Sequence, residues 1–159
     1  MLKIVHGDLF AGAIGRCVIA HGANSLGSMG SGFAKQLRMR YPLAYLEYRR
    51  ACRERRPRVG EWQLVYVEDK AIFHLITQDT YGNDPDTVYV DYDAVKKCLQ
   101  VVASYCASSG LTAHMPFIGS GLAHGDPAKL MAIFEEVFKS ENAVLYLRER
   151  QPKKRHHGH

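Results

Sequence analysis

Cys17-Val18-Ile19-Ala20-His21-Gly22-Ala23-Asn24-Ser25-Leu26-Gly27-Ser28-Met29-Gly30-Ser31-Gly32, running on into Phe33-Ala34-Lys35-Gln36, is the stretch on which the reading of this chain turns. Cys17–His21 is a short, continuous run of small apolar residues ending at a turn, the pattern of a strand buried on both faces in a parallel sheet. The glycines that follow permit positive φ and close backbone approach, and the small residues between them leave the amides uncovered. A helix begins directly at Gly32. Strand, uncovered amides and a helix N-terminus in that order suit a phosphate. No Gly-Lys-Ser/Thr follows, so the loop is not a Walker loop, and its glycines do not fit the dinucleotide GxGxxG spacing. A tight glycine turn without a ligand would use the same residue types.

The same logic recurs at Met115-Pro116-Phe117-Ile118-Gly119-Ser120-Gly121-Leu122-Ala123-His124-Gly125-Asp126-Pro127. A strand runs into a glycine-rich turn and then into a helix, with Asp126 placed as N-cap and Pro127 at the first helical position. Two such loops on one sheet edge can grip two phosphates from both sides.

The rest of the chain alternates between the two hydrophobic periods. Leu2–Val5, Glu61–Val67, Ala71–Thr77, Thr112–Ile118 and Ala143–Leu147 read as strands, with Glu68-Asp69-Lys70 splitting a hairpin. Gly32–Arg40 and Pro42–Cys52 read as helices. Asp91–Ser109 is the longest helix, with Val95, Cys98, Leu99, Val102 and Cys106 on one face and Gly110 as its C-cap. The helix after Asp126 carries Leu130, Ile133, Phe134 and Val137. Strands alternating with helices imply a layered α/β sheet with crossover connections, mixed because of the hairpin. Ligands of such sheets sit beyond the carboxyl ends of the strands, which is where both glycine loops fall.

The 159 residues fit one domain with a full core. No apolar run is long enough for a membrane span, and Met1–Gly7 turns polar too soon for a signal peptide, so a cytoplasmic protein is the expectation. Cys17, Cys52, Cys98 and Cys106 form no CxxC pair and have no histidine cluster beside them, so reduced thiols are expected and neither disulfide nor metal. The net charge of +5 is local. Residues 49–58 hold six arginines against Glu54, a net of +5, and residues 148–155 hold Arg148, Arg150, Lys153, Lys154 and Arg155 against Glu149, a net of +4. The remainder is therefore net −4. Such patches can touch nucleic acid, although they contain few aromatics and a solvated helix end plus a loose tail explains them equally. The domain is expected over residues 1–147, with 148–159 a basic, disordered tail.

Taken together, Gly7-Asp8-Leu9-Phe10, the run Ala20–Gln36, Tyr41-Pro42 and Met115–Asp126 resemble the macro domain family over roughly residues 1–147. Residues 20–32 reproduce the Ala-His-x-x-Asn-Ser-x-Gly-Ser-x-Gly-x-Gly pattern of the branch that processes ADP-ribose 1″-phosphate. The second loop is similar to that of the terminal ADP-ribose glycohydrolases. The resemblance implies a three-layer α/β/α macro domain with a mixed central sheet. It implies ADP-ribose or its 1″-phosphate as ligand, ADP-ribosylated macromolecules as possible further partners, and no cofactor.

Roles follow from the resemblance residue by residue. Asp8, with Leu9 beside it, would receive the adenine amino group, although a carboxylate after a strand can also cap a turn. Asn24 would bond the distal ribose, a role compatible with an Asx turn. The amides of Ser28, Met29, Gly30, Ser31 and Gly32 and of Gly119, Ser120, Gly121, Leu122 and Ala123 would hold the diphosphate. His21 is the catalytic candidate, because an imidazole near the distal ribose can act as nucleophile or general acid/base, or can merely orient the sugar. Asp79, just after a strand, would assist, although loop carboxylates are usually solvated. Tyr146 falls near the adenine or in the core, and His74, inside a strand, reads as structural. Where the glycohydrolases have an attacking lysine and a second-loop acid, this sequence has Gln78 and Ala123, and glutamine cannot form the Schiff-type intermediate that lysine can. Three functions remain on the sequence alone: a phosphatase acting on ADP-ribose 1″-phosphate, a hydrolase of ADP-ribose from protein or nucleic acid, and a non-catalytic ADP-ribose reader. A generic nucleotide-binding α/β domain is a looser competitor.

Overall fold

The computed structural model describes residues 1–148. Six strands, β1 (Leu2–His6), β2 (Cys17–Asn24), β3 (Trp62–Val67), β4 (Lys70–Gln78), β5 (Ala113–Pro116) and β6 (Ala143–Leu147), form one sheet in the order β1-β6-β5-β2-β4-β3. Every pair is parallel except β3–β4, which is antiparallel. Five helices cover its faces: α1 (Leu9–Gly12), α2 (Gly32–Arg40), α3 (Pro42–Glu54), α4 (Tyr92–Ser109) and α5 (Pro127–Val137). This is the expected α/β/α arrangement with a mixed central sheet. The part of the expected basic tail beyond residue 148 lies outside the described residues.

Two apolar layers hold the sandwich. Alternate residues of β2 face opposite ways: Val18 and Ala20 join the layer under α4 and α5, while Cys17, Ile19 and Ala23 join the layer under α1, α2 and α3. The strand is buried on both sides, as its unbroken apolar run predicts. The α4 face Val95, Cys98, Leu99, Val102 and Cys106 is wholly buried, and α5 inserts Leu130 and Phe134 beside it. Cys17, Cys98 and Cys106 are buried free thiols and Cys52 is half-buried.

Local signals set the element ends. Asp91 caps α4 by accepting from the Ala94 amide, and Gly110 ends it in the left-handed region at φ 72. Asp126 caps α5 through the Ala128 amide, with Pro127 next. The hairpin turn is shorter than expected: Glu68 sits at φ 55, and Lys70 already belongs to β4. Its side chain is buried, with Nζ donating to the Gly15 carbonyl and to Asp69, 2.7 Å away. The helix α1 has no counterpart in the sequence pattern. It is a single turn, built because the Asp8 carboxylate accepts from the Phe10 amide at 3.0 Å.

Phe134 is fully buried, whereas nothing lies within 4 Å of a Cβ built at Gly110. Phe134→Ala is therefore expected to lower unfolding free energy by about 3–5 kcal/mol through lost burial and a residual cavity. Gly110→Ala should cost only about 1–2 kcal/mol, from the left-handed backbone alone. Urea unfolding of the two variants checks the order.

Candidate functional site

The carboxyl ends of β2 and β5 open into one cleft of about 1050 Å³, whose walls are the two glycine loops. Asp8, Leu9, His21, Asn24, Ser28–Gly32 and Gly119–Ala123 all line it. Asp79 does not.

Asn24 builds the first loop. Its Oδ1 accepts from the amides of Leu26 (3.0 Å) and Ser28 (3.3 Å), and its Nδ2 donates to the Ser28 carbonyl at 3.0 Å. The Tyr48 hydroxyl, from α3, donates to the Asn24 carbonyl behind it. The side chain is thus committed to the turn. Gly27 stands at φ 79 with Cys52 close behind, and Gly32 at φ 60 opens α2. Ser31, the N-cap of α2, makes no side-chain cap bond, so the first amides of that helix meet the cleft without an internal acceptor from the cap. Met29 lines the cleft but packs in the core, 1% exposed.

The second loop is wedged into place by close packing. Gly119 stands at φ 86, and a Cβ there would meet Val90 at 2.8 Å and Leu130 at 3.0 Å. A Cβ on Gly125 would meet the Gly119 carbonyl at 2.5 Å. The Tyr89 amide donates to the Ala123 carbonyl at 2.9 Å, and His124, left-handed at φ 59, places Nδ1 2.8 Å from the Thr87 carbonyl. The segment before α4 therefore holds the loop from outside. The loops come together at one point, where a Cβ on Gly32 would lie 3.3 Å from Leu122 Cδ1.

His21 sits on the cleft floor, 1% exposed. It pairs with His74 across the β2–β4 ladder, and its Nε2 lies 2.6 Å from His74 Nδ1. His74 is fully buried, with Nε2 3.1 Å from the Ala44 carbonyl of α3. Burial pushes the His21 pKa well below the ordinary imidazole value, and the neighbouring His74 ring, with which it would share positive charge, is the second cause. Burial likewise pushes His74 down to about 4, opposed by its bond to Ala44. Asp79 lies behind the first loop. Its carboxylate accepts from the Ser25 hydroxyl and pairs with Arg56 at 2.9 Å, and these contacts, the hydroxyl first, hold its pKa below the usual carboxylate value. The structure does not bring Asp79 and His21 together. Among the described residues no three of His, Cys, Asp or Glu are grouped to hold a metal ion.

No family model and no curated protein matches the sequence. Solved structures do match its shape. A Bacteroides thetaiotaomicron protein of unknown function is 29% identical, with a TM-score of 0.82 over 92% of this chain and 97% of that one. A macrodomain protein from Streptomyces coelicolor is 27% identical, with a TM-score of 0.76 over 93% of this chain and 99% of that one. The fold is that of a macrodomain. Thermosipho africanus DarTG, solved in complex with ADP-ribose, matches at 19% identity and a TM-score of 0.77, covering 95% of this chain and 43% of that one.

Within this fold, local sequence pattern does not mark out Tyr81 or the support that His74 gives to His21. Tyr81 lines the cleft from the segment after β4 and is exposed. His74 supports His21 from the neighbouring strand. Only the strand register reveals that pair, although both residues were visible as histidines inside apolar runs. Tyr146 is buried in the core and lines the cleft, and its hydroxyl lies 2.7 Å from His114 Nδ1.

The buried histidines make the fold acid-sensitive in a defined window. A histidine held neutral when folded protonates first in the unfolded chain. Its contribution is complete above pH 6.5, falls as the unfolded form titrates, and is lost once pH reaches about 4 for His74. The difference is roughly 3 kcal/mol for that residue. Urea unfolding from pH 7 to pH 4 should show a steep loss in wild type and a shallower one in His74→Leu.

Proposed function

We propose that the cleft binds ADP-ribose and that the domain removes the phosphate from ADP-ribose 1″-phosphate. The observation that carries the binding is the convergence of two glycine loops on one cleft, one of them opening a helix whose N-cap Ser31 makes no side-chain cap bond. Such loops present backbone amides to a diphosphate from opposite sides. The Asp8 carboxylate, with one oxygen held by the Phe10 amide, keeps its other oxygen for an adenine amino group. The structure of Thermosipho africanus DarTG with ADP-ribose supports the same ligand class.

His21 supports the hydrolytic part. In this reading a water attacks phosphorus and gives its proton to His21. The phosphorus–ribose oxygen bond breaks, and the leaving oxygen takes that proton from the imidazolium. Inorganic phosphate and ADP-ribose are the products. The imidazole works in its neutral form, so activity is expected to stay flat through neutral pH and fall only well below pH 6.5, the ordinary histidine value.

A non-catalytic reader is the second reading, favoured by the near-complete burial of His21 and by Gln78 and Ala123 in the cleft lining. Calorimetry with ADP-ribose beside a phosphate-release assay separates the two. Binding with turnover that His21→Ala abolishes supports the phosphatase. Binding without turnover by wild type leaves the reader, and release of ADP-ribose from modified protein or nucleic acid would instead make the domain a hydrolase of those. Absence of ADP-ribose binding would end all three.

A further inference from the structure

We propose that His74 is a positioning residue, which fixes His21 in the tautomer whose Nδ1 is bare and which thereby makes that atom a hydrogen-bond acceptor for the ligand. The inference rests on the reading of His21 as the residue that meets the bound sugar, and it adds the group that sets its protonation pattern.

With both imidazoles neutral, the bonds to Ala44 and between the two rings have one consistent assignment. A carbonyl oxygen can only accept, so His74 Nε2, 3.1 Å from the Ala44 carbonyl, carries a hydrogen. Full burial keeps His74 neutral, so its Nδ1 has a lone pair and no hydrogen. His21 Nε2, 2.6 Å away, must then be the donor. A neutral His21 that donates through Nε2 has a bare Nδ1. Among the described residues that atom is buried and has no hydrogen-bond partner, on a residue that lines the cleft. Leaving a buried acceptor unmet is unfavourable, and a ligand hydroxyl or an ordered water at the cleft floor removes that cost.

Among the described residues the surroundings add no charge that would alter this assignment. Phe33 of α2 lies with its ring 5.9 Å from that of His21, and Tyr48 of α3 stacks on His74 at 4.9 Å. Burial raises the pKa of Tyr48, which therefore stays protonated. From β3, Gln63 stands opposite His74 in the ladder. Among the described residues neither imidazole is bonded to a carboxylate. This differs physically from an aspartate–histidine pair. A carboxylate orients an imidazole and also stabilises its cation, whereas a carbonyl acting through a second neutral imidazole orients it and leaves it neutral. The arrangement suits an acceptor that must remain bare at neutral pH. It also ties the ring to α3, because Ala44 lies in that helix's first turn.

Long-range proton–nitrogen NMR of the full chain reads the tautomer directly. In wild type, His21 should show an unprotonated Nδ1 and a protonated Nε2 at neutral pH. His74→Asn can place an amide oxygen where the Nδ1 acceptor stood and should preserve that pattern. His74→Leu removes the acceptor and should abolish the pattern, weakening ADP-ribose binding, and kcat/KM where turnover exists, by roughly 10–100-fold. His74→Asn should stay within a few-fold of wild type. A protonated Nδ1 on wild-type His21 would overturn the proposal, as would unchanged ADP-ribose affinity in a folded His74→Leu. If His74→Leu does not fold, the wild-type tautomer and the His74→Asn affinity decide. The predicted tautomer together with ligand binding but no phosphate release would sink the phosphatase reading and support this one.

Discussion

Asn24 closes the end of β2 with its own side chain, and the architecture of the cleft follows from that closure. The strand beneath it is buried on both faces and paired to β4 and β5, so its end has a fixed position. Three bonds from the Asn24 amide to residues 26 and 28 then turn the chain sharply. A buried side chain that meets its partners this fully is costly to displace. The turn delivers Gly30–Gly32 and the start of α2 to the cleft. The second loop arrives at the same place because β5 is the neighbour of β2, and because Val90 and Leu130 leave no room for side chains at Gly119 and Gly125. One wall is tied by hydrogen bonds and the other is wedged by packing.

The basic run at residues 49–58 takes on a different meaning in three dimensions. Arg50 pairs with Glu47 and Glu54, Arg55 with Glu61, and Arg56 with Asp79. Exposed pairs of this kind contribute little to stability. The Arg56–Asp79 pair matters more for position: with the Ser25 hydroxyl it secures the rear of the first loop. Part of the apparent charge patch is therefore neutralised locally, and one of its arginines braces the cleft.

Much of this was legible in the sequence, for identifiable reasons. The helix Gly32–Arg40 was readable to both its ends, because a glycine opens it and Pro42 starts the next. Capping residues announced α4 and α5. The extra length of β2 was hidden, because Gly22-Ala23-Asn24 looks like turn chemistry. Gly22 belongs to the strand, and a Cβ there would press on Thr77 and Ile118. The helix α1 was hidden because one turn carries no period. Within the site, residues read from contiguous loops were found together in the cleft. His74 and Asp79 depend on which strands lie side by side and on which way a loop turns. Neither property leaves a trace in local pattern, so the histidine pair was unseen, and the carboxylate expected to assist His21 is bonded to Ser25 and Arg56 instead.

The central claim is that the two loops form one anion-binding unit. Titrating isotopically labelled protein with ADP-ribose and following the backbone amides by NMR tests it most directly. The expected result is that amides at 28–32 and 119–123 shift together with a single affinity, while those around the small hollow at Arg16 and Lys70 on the other end of the sheet stay still. Shifts confined to one loop, or centred on that hollow, would contradict the claim.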